Sequence, residues 1–117
     1  MASIRIVCEA AGVEVTASLN ESHTASALLA VLPVEAPARR WGREVYFDVP
    51  VQRDLESPVE QVRFGEIAYW PPGAAFCIFF GQQPYSAVSP LGVVDGDPEV
   101  FERVADGDLV RLEPMEE

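Results

Sequence analysis

The sequence contains no lysine, one histidine and two cysteines among its 117 residues, and these shortages exclude several kinds of chemistry. Without lysine, the chain has no side-chain amine that can form a Schiff base or act as a general base. The single histidine, His23, lacks the surrounding cysteines or carboxylates that a zinc site or a catalytic triad requires. Phosphate-binding glycine loops and nucleophile-elbow motifs are missing as well. We therefore predict no metal site and no cofactor.

Positive charge is scarce too. The chain has nineteen Asp and Glu residues and only eight arginines, which gives a net charge of −11 and a pI near 4.3. Binding to a phosphate backbone needs a basic face. The charge balance therefore predicts that the protein has no nucleic-acid partner.

Long hydrophobic runs are the third shortage. No apolar stretch approaches the roughly 20 residues needed to cross a bilayer, and the N-terminal stretch MASIRIVCEAAG lacks the apolar region of a signal peptide. We therefore expect a cytoplasmic protein without a membrane partner. In that compartment Cys8 and Cys77 are expected to be buried, reduced thiols rather than a disulfide. The oligomeric state is left open.

Alternating apolar residues predict strands along most of the chain. The stretch AAFCIFF (74–80) is apolar at every position, which is typical of a strand buried on both faces, between the barrel interior and a helix outside. Residues 81–96 are rich in Gly, Pro, Ser and Gln and predict a long loop with a short strand near its end. The predicted strands are 3–9, 13–19, 44–51, 62–70, 74–80, 91–94 and 108–113.

Two helices are predicted, one early and one late. From Ser22 to Leu32 the apolar residues recur at helical spacing, with Ser22 or Asn20 as the cap and Pro33 as the end. A second, short helix is expected to begin at Asp97-Pro98. Many strands with two helices predict a mainly β fold, a small antiparallel barrel formed as one domain over residues 1–117.

Three stretches are similar to a known family. WGREVYF (41–47), GEIAYWPPGAAFCIFFG (65–81) and SAVSPLGVV (86–94) resemble the small cyclophilin-like proteins of bacteria and archaea. The resemblance extends from about Ile4 to about Leu112. It implies a closed, antiparallel, eight-stranded barrel with two helices capping its ends.

The resemblance is weaker at the residues that cyclophilins use for catalysis. Their proline isomerisation depends on an arginine above a hydrophobic proline pocket, on a strand that reads roughly phenylalanine-histidine-arginine-valine. The corresponding stretch here is VYFDV (45–49), which contains no arginine. This departure argues against isomerase activity, since a fold alone does not carry a function.

The aromatic residues of the family signature are the main binding candidates. Tyr69 and Trp70 precede the rigid turn Pro71-Pro72-Gly73, and each has a polar group that needs a partner when buried. A preformed aromatic wall beside a rigid turn is typical of a ligand pocket. The alternative is that the aromatic residues only fill the barrel interior. The candidate binding residues are Trp41, Arg43, Tyr46, Tyr69, Trp70, Pro71, Phe76 and Phe80.

Charged residues supply three weak catalytic candidates. Arg43 belongs to the cluster RRWGRE (39–44), which either holds a ligand carboxylate or forms ion pairs with nearby acidic residues. Glu44 and Glu66 would provide two carboxylates for acid–base catalysis if they meet in one pocket, and otherwise are solvated strand residues. Cys77 lies in an apolar strand, where its thiol is expected to be unreactive.

These features favour a protein that binds a small molecule or a proline-containing peptide. The alternatives are an enzyme, either a divergent prolyl isomerase or a hydrolase or lyase of small amides, and an interaction module without a pocket.

Overall fold

The structure, a computed structural model, describes residues 2–115, which form nine strands of one antiparallel sheet and one α-helix. The helix, α1, spans His23–Val31, and of the two predicted caps it is the side chain of Ser22 that accepts a hydrogen bond from the Ala25 amide. No helix in residues 2–115 is long and apolar enough to cross a membrane. The strands are β1 (Ser3–Cys8), β2 (Val13–Leu19), β3 (Val34–Pro37), β4 (Arg39–Arg40), β5 (Glu44–Asp48), β6 (Glu66–Trp70), β7 (Ala75–Phe79), β8 (Ser89–Val94) and β9 (Leu109–Pro114).

The sheet curls until its two ends come from the same stretch of chain. The strand order is β3-β9-β1-β2-β8-β6-β7-β5-β4, so β3 and β4 are the end strands. Only Ala38 separates them, and its amide donates to the Asp108 carbonyl oxygen at 2.7 Å. Because β3 pairs with β9 and β4 pairs with β5, residues 34–40 bridge both ends and nearly close the barrel.

The mainly β, antiparallel barrel predicted from the sequence is therefore confirmed, but it has nine strands rather than eight. The alternation of apolar residues predicted seven of these strands, and the two that it missed lie in residues 34–40, where Pro37 and two adjacent arginines hide the alternation that identifies a strand. The second helix also differs from the prediction. It is a 3₁₀ helix, Pro98–Arg103, capped by the Asp97 side chain at the Glu99 amide.

A large apolar cluster fills the barrel interior. On most strands alternate residues point inward, as Ile4, Ile6 and Cys8 do on β1, where these side chains are fully buried. The helices add Ala25 and Leu28 from α1, and Phe101 and Val104 from the second helix and its end. The interior is therefore packed with side chains.

β7 is buried on both faces, as its sequence predicts. Its inward residues join the interior cluster, and its outward residues Cys77 and Phe79 join a second, smaller cluster on the outside. The expected helical cover is wrong, because α1 packs against the interior cluster. Residues from the connecting segments cover the outer face instead, among them Val59, Val62 and Val88.

Gly92 allows β8 to lie close to β2, and its replacement tests the sheet register. It has φ +154°, and a Cβ atom there would lie 1.9 Å from the Ser18 carbonyl oxygen. We expect Gly92→Ala to lower the free energy of unfolding by about 3 kcal/mol, measured by urea denaturation, because the two strands must separate.

Gly12→Ala is the matched control, since Gly12 has φ +65° but no atom within 4 Å of an added Cβ. Its cost is the left-handed backbone conformation alone, about 1 kcal/mol. Equal losses in the two variants would contradict the close approach of β2 and β8.

Candidate functional site

A cavity of about 270 Å³ lies on the outer face of the barrel, over β5, β6 and β7. Its walls are mostly apolar and aromatic, and they include one carboxyl group, that of Glu44. We call it the Glu44 cavity. The residues that line it are Trp41, Glu44, Tyr46, Trp70, Cys77, Phe79, Pro84, Tyr85 and Val88.

The alternation of side chains along the strands explains how β5, β6 and β7 form one wall of this cavity. Glu44 and Tyr46 lie two residues apart on β5 and therefore share a face. In the β5–β7 register, Tyr46 lies opposite Cys77 and Glu44 lies opposite Phe79, so these side chains form one patch. On β6, Trp70 is on the same outer face.

A tight turn brings Trp41 to the same patch. The amide of Trp41 donates to the Glu44 carbonyl oxygen and the amide of Glu44 donates to the Trp41 carbonyl oxygen, both at 3.1 Å. Gly42 takes the left-handed conformation, φ +58°, inside this turn. A side chain there would also collide with Gln82, because an added Cβ would lie 2.2 Å from the Gln82 side-chain oxygen.

Residues 81–88, which we call the cover segment, form the opposite wall. Val88 exchanges two backbone hydrogen bonds of 3.0 Å with Val59. The Gln83 side chain bonds both the amide and the carbonyl oxygen of Val62, at 2.8 and 3.1 Å. The indole Nε1 of Trp70 donates to Ser86 Oγ at 2.7 Å. The cavity is therefore preformed by a segment that is bonded to the rest of the protein.

Three aromatic rings surround the open side of the cavity. Tyr85 lies between the two tryptophans, with its ring centroid 6.0 Å from that of Trp41 and 6.4 Å from that of Trp70, edge to face in both cases. Trp41 and Tyr85 keep 41% and 79% of their surface exposed. These three rings form the most exposed part of the cavity lining, and we call them the aromatic mouth.

Glu44 is the unusual group in this setting, because it is only 6% exposed. Burial raises the pKa of its carboxyl to about 7, and a hydrogen bond from the Cys77 thiol lowers that pKa in part. Among the described residues that line the cavity, none is an arginine. The carboxylate therefore has no positive side chain beside it, and near neutral pH it is balanced between its two protonation states.

Cys77 contributes a neutral thiol to the cavity floor. Burial, and then the neighbouring Glu44 carboxylate, raise the pKa of this thiol well above its ordinary value. Its sulfur also lies 3.9 Å from the Ala75 carbonyl oxygen, a second acceptor. A protonated thiol is a poor nucleophile, so Cys77 serves as a packing residue and a weak donor.

The structure divides the residues predicted from the sequence between two faces of the sheet. Trp41, Glu44, Tyr46 and Trp70 meet at the Glu44 cavity. The other aromatic candidates, Tyr69, Phe76 and Phe80, belong to the interior cluster.

Tyr69 and Trp70 cannot share a wall because adjacent residues of a strand face opposite ways. The Tyr69 hydroxyl donates instead to the Val51 carbonyl oxygen at 2.6 Å, inside the protein. Pro71 lies in a different concavity, together with Tyr69 and Glu56.

Arg43 is held away from the cavity. Its Nε donates to the Phe80 carbonyl oxygen at 3.0 Å, and its guanidinium pairs with Glu99 and Glu102 of the 3₁₀ helix. Arg40 also pairs with Glu102. These contacts tie the 3₁₀ helix to the barrel, which fits the ion-pair alternative for the arginine cluster.

Glu66 does not meet Glu44. Its carboxylate accepts a hydrogen bond from the Arg63 amide at 2.8 Å, and it lines a separate concavity with Phe64 and Val93. The expected pair of carboxylates in one pocket is therefore not formed.

A wider, polar groove lies beside α1 and is bordered by His23, Glu56 and Pro71–Ala74. Glu56 accepts hydrogen bonds from the His23 amide (3.0 Å), the Thr24 amide (2.8 Å) and the Thr24 hydroxyl (2.7 Å). These bonds lower the pKa of its carboxyl to about 2. Glu56 thus caps the helix, and both of its carboxylate oxygens already accept hydrogen bonds.

Several cavity residues were not singled out from the sequence, chiefly Phe79, Pro84, Tyr85 and Val88. All but Phe79 come from the cover segment, which folds over the sheet through contacts distant in sequence. The only sequence signal for that segment is its similarity to the family in residues 86–94. No cluster of metal-ligating side chains occurs among residues 2–115.

Comparison with known proteins identifies the fold. The family model described as Cyclophilin-like matches residues 2–113. The solution structure of the hypothetical protein AF2241 from Archaeoglobus fulgidus superimposes with a TM-score of 0.82 and 34% identity, covering 97% of this chain and 95% of that one. A search of curated proteins gave no match.

A more distant structure has the same fold. McbB in complex with tryptophan superimposes with a TM-score of 0.79 at 17% identity, over 97% of this chain and 45% of McbB. At that identity the similarity shows the fold alone. The cyclophilin-like resemblance noted in the sequence is confirmed by the family match and by AF2241.

The buried carboxyl predicts an unusual dependence of stability on pH. The Glu44 pKa is raised in the folded state, so the group favours folding below its unfolded pKa, and that contribution is lost as pH rises toward about 7. We expect Glu44→Gln to match the wild type at about pH 4.5 and to be more stable by about 2 kcal/mol at about pH 8, measured by urea denaturation.

Glu56→Gln is the control with the opposite sign. Its pKa is lowered in the folded state, so its contribution is present at neutral pH and is lost as pH falls toward about 2. We expect this variant to be less stable than the wild type at neutral pH, with the difference closing in acid. If the free energy of unfolding changes with pH in the same way for Glu44→Gln and for the wild type, Glu44 is not a buried carboxyl without a positive partner.

Proposed function

This chain belongs to the cyclophilin-like family, and we propose that it binds a small, largely apolar organic molecule in the Glu44 cavity. The observation that carries the proposal is a preformed aromatic cavity whose one carboxyl group, Glu44, is buried without a positive partner. Ionisable groups whose pKa is shifted by burial cluster at functional sites.

The size and lining of the cavity support a small ligand. Pockets for small molecules commonly enclose about 300–1,000 Å³ and combine apolar walls with few polar groups. At about 270 Å³, the Glu44 cavity fits a molecule of one or two rings. The cover segment is bonded to Val59 and Val62, so little ordering is required when the ligand binds.

The comparison with McbB supports the same class of ligand. McbB shares the fold and its structure contains tryptophan, a small aromatic molecule. The similarity favours small-molecule binding within this architecture, while the identity of the ligand here depends on the residues of this chain.

A proline-containing peptide is a less favoured ligand, and prolyl isomerisation is a less favoured reaction. That reaction requires an arginine above an apolar pocket, and the described lining of the Glu44 cavity has none. Arg43 is bonded to Glu99, Glu102 and the Phe80 carbonyl oxygen.

An interaction module without a pocket is also less favoured, since a cavity is present. A cytoplasmic location, with Cys8 and Cys77 as free thiols, remains part of the proposal.

One observation favours a second candidate, an enzyme that acts on small amides. A carboxyl with pKa about 7 in an apolar cavity is suited to general acid–base catalysis near neutral pH. Glu44 would take a proton from the water that attacks the amide carbon and return it to the leaving nitrogen. Substrate turnover, followed by NMR, would distinguish this candidate from binding alone.

Both tryptophans of the chain line the cavity, so a ligand that enters it must change their fluorescence. We expect a screen of small aromatic amines, alcohols and cyclic amides to yield ligands that shift this emission and raise the melting temperature. Trp41→Ala, which removes one ring of the mouth, is expected to weaken those ligands by about tenfold or more.

Phe64→Ala is the matched control. Phe64 is 52% exposed, comparable with Trp41 at 41%, and it lies outside the Glu44 cavity. Its removal should leave ligand affinity unchanged. Ligands that lose affinity equally in both variants, or no ligand at all from the screen, would overturn the proposed function.

A further inference from the structure

We propose that the ligand of the Glu44 cavity is an organic cation, an ammonium group carried on a small apolar or aromatic body. Glu44 would hold the charge, and the rings of the aromatic mouth would pack around it. This inference rests on the proposed function and specifies the chemical class of its ligand.

The first argument is the missing countercharge. Glu44 is 6% exposed, and a buried carboxylate without a positive partner is costly. The arginines of the cluster at residues 39–43 form ion pairs with acidic residues other than Glu44. Arg39 pairs with Asp48, Arg40 with Glu102, and Arg43 with Glu99. A cationic ligand supplies the charge that the protein itself does not provide.

The second argument is the arrangement of the rings. The planes of Trp41 and Tyr85 meet at 76°, and those of Trp70 and Tyr85 meet at 88°. Rings set at these angles form two differently oriented walls rather than one flat stack. Aromatic faces attract ammonium groups, tryptophan most strongly, and several rings around one carboxylate are suited to enclose such a cation.

The third argument is the sign of the protein's field. A net charge of −11 attracts cations and repels anions, and in the cavity the nearest formal charge is that of Glu44 itself. A ligand with a carboxylate would have to approach this group against that field. The same apolar body is therefore expected to bind well as an amine and poorly as an acid.

The cation hypothesis also requires a specific pH dependence. Cation binding favours the ionised form of Glu44, so affinity should rise as pH passes through the pKa of about 7. The other titratable side chains that line the cavity are Cys77, Tyr46 and Tyr85. Burial keeps the Cys77 thiol protonated through this range. Outside the lining, Arg39 lies over the Tyr46 ring and is paired with Asp48.

The test compares ligands with one body and different charge. Indole, tryptamine and indole-3-propionate share one ring system, but indole is neutral, tryptamine is a cation and indole-3-propionate is an anion. Benzylamine, a cation, and benzyl alcohol, which is neutral, form a second set with a smaller ring system. Titration calorimetry with the full chain at about pH 8 should give tryptamine a dissociation constant about tenfold or more below that of indole, since charge-assisted contacts are the stronger ones. Indole-3-propionate should bind most weakly.

Glu44→Gln removes the charge of the side chain while keeping its shape. In this variant we expect tryptamine and indole to have nearly equal dissociation constants, so that their ratio is close to one. Glu66→Gln, which changes a carboxylate outside the cavity, should leave the ratio as in the wild type. Lowering the pH to about 5 should reduce the preference for tryptamine in the wild type only.

The outcomes separate this inference from the proposed function. If indole and benzyl alcohol bind as tightly as the amines, with no dependence on pH, the cation hypothesis is wrong and the cavity remains a small-molecule site. If an amine binds preferentially but Glu44→Gln has no effect, the hypothesis is also wrong. If none of the five compounds binds at millimolar concentration, the cation hypothesis is wrong, and the wider fluorescence screen decides whether the cavity binds any small molecule.

Discussion

Alternation along β5 turns Phe47 into the barrel interior and Glu44 outward, to the Glu44 cavity, where the surrounding residues leave only 6% of it exposed. The cover segment and the β4–β5 turn enclose the carboxyl, and none of the arginines in the neighbouring cluster reaches it. The raised pKa, the neutral thiol of Cys77 and the need for an outside partner all follow from this one burial. Without the cover segment, Glu44 would be an ordinary solvated strand residue.

This arrangement separates stability from function. The interior cluster provides the apolar burial that holds the barrel together, and residues 34–40 nearly close it. The outer cluster over β7 is smaller and lies beside Glu44, a carboxyl whose burial opposes folding at neutral pH. A site that costs stability is tolerated because the rest of the barrel does not depend on it.

Much of the fold was predictable, because periodicity and local caps are properties of neighbouring residues. The alternation of β1 and β2, the Ser22 cap of α1 and the double burial of β7 all follow from the sequence. The site was predictable only in part. Trp41, Glu44, Tyr46 and Trp70 were identified as candidates, but the face that each occupies depends on strand register. The position of Tyr85 depends on how the cover segment folds back, which no local pattern encodes.

The central claim is that Glu44 is a buried carboxyl without a positive partner, and its titration in the folded protein tests that claim most directly. Carbon-13 NMR of the glutamate side-chain carboxyls, with Glu44→Gln to assign the signal, follows this one group through pH. The account predicts a midpoint near pH 7 for this group. A midpoint near the ordinary glutamate value of about 4.3 would contradict it.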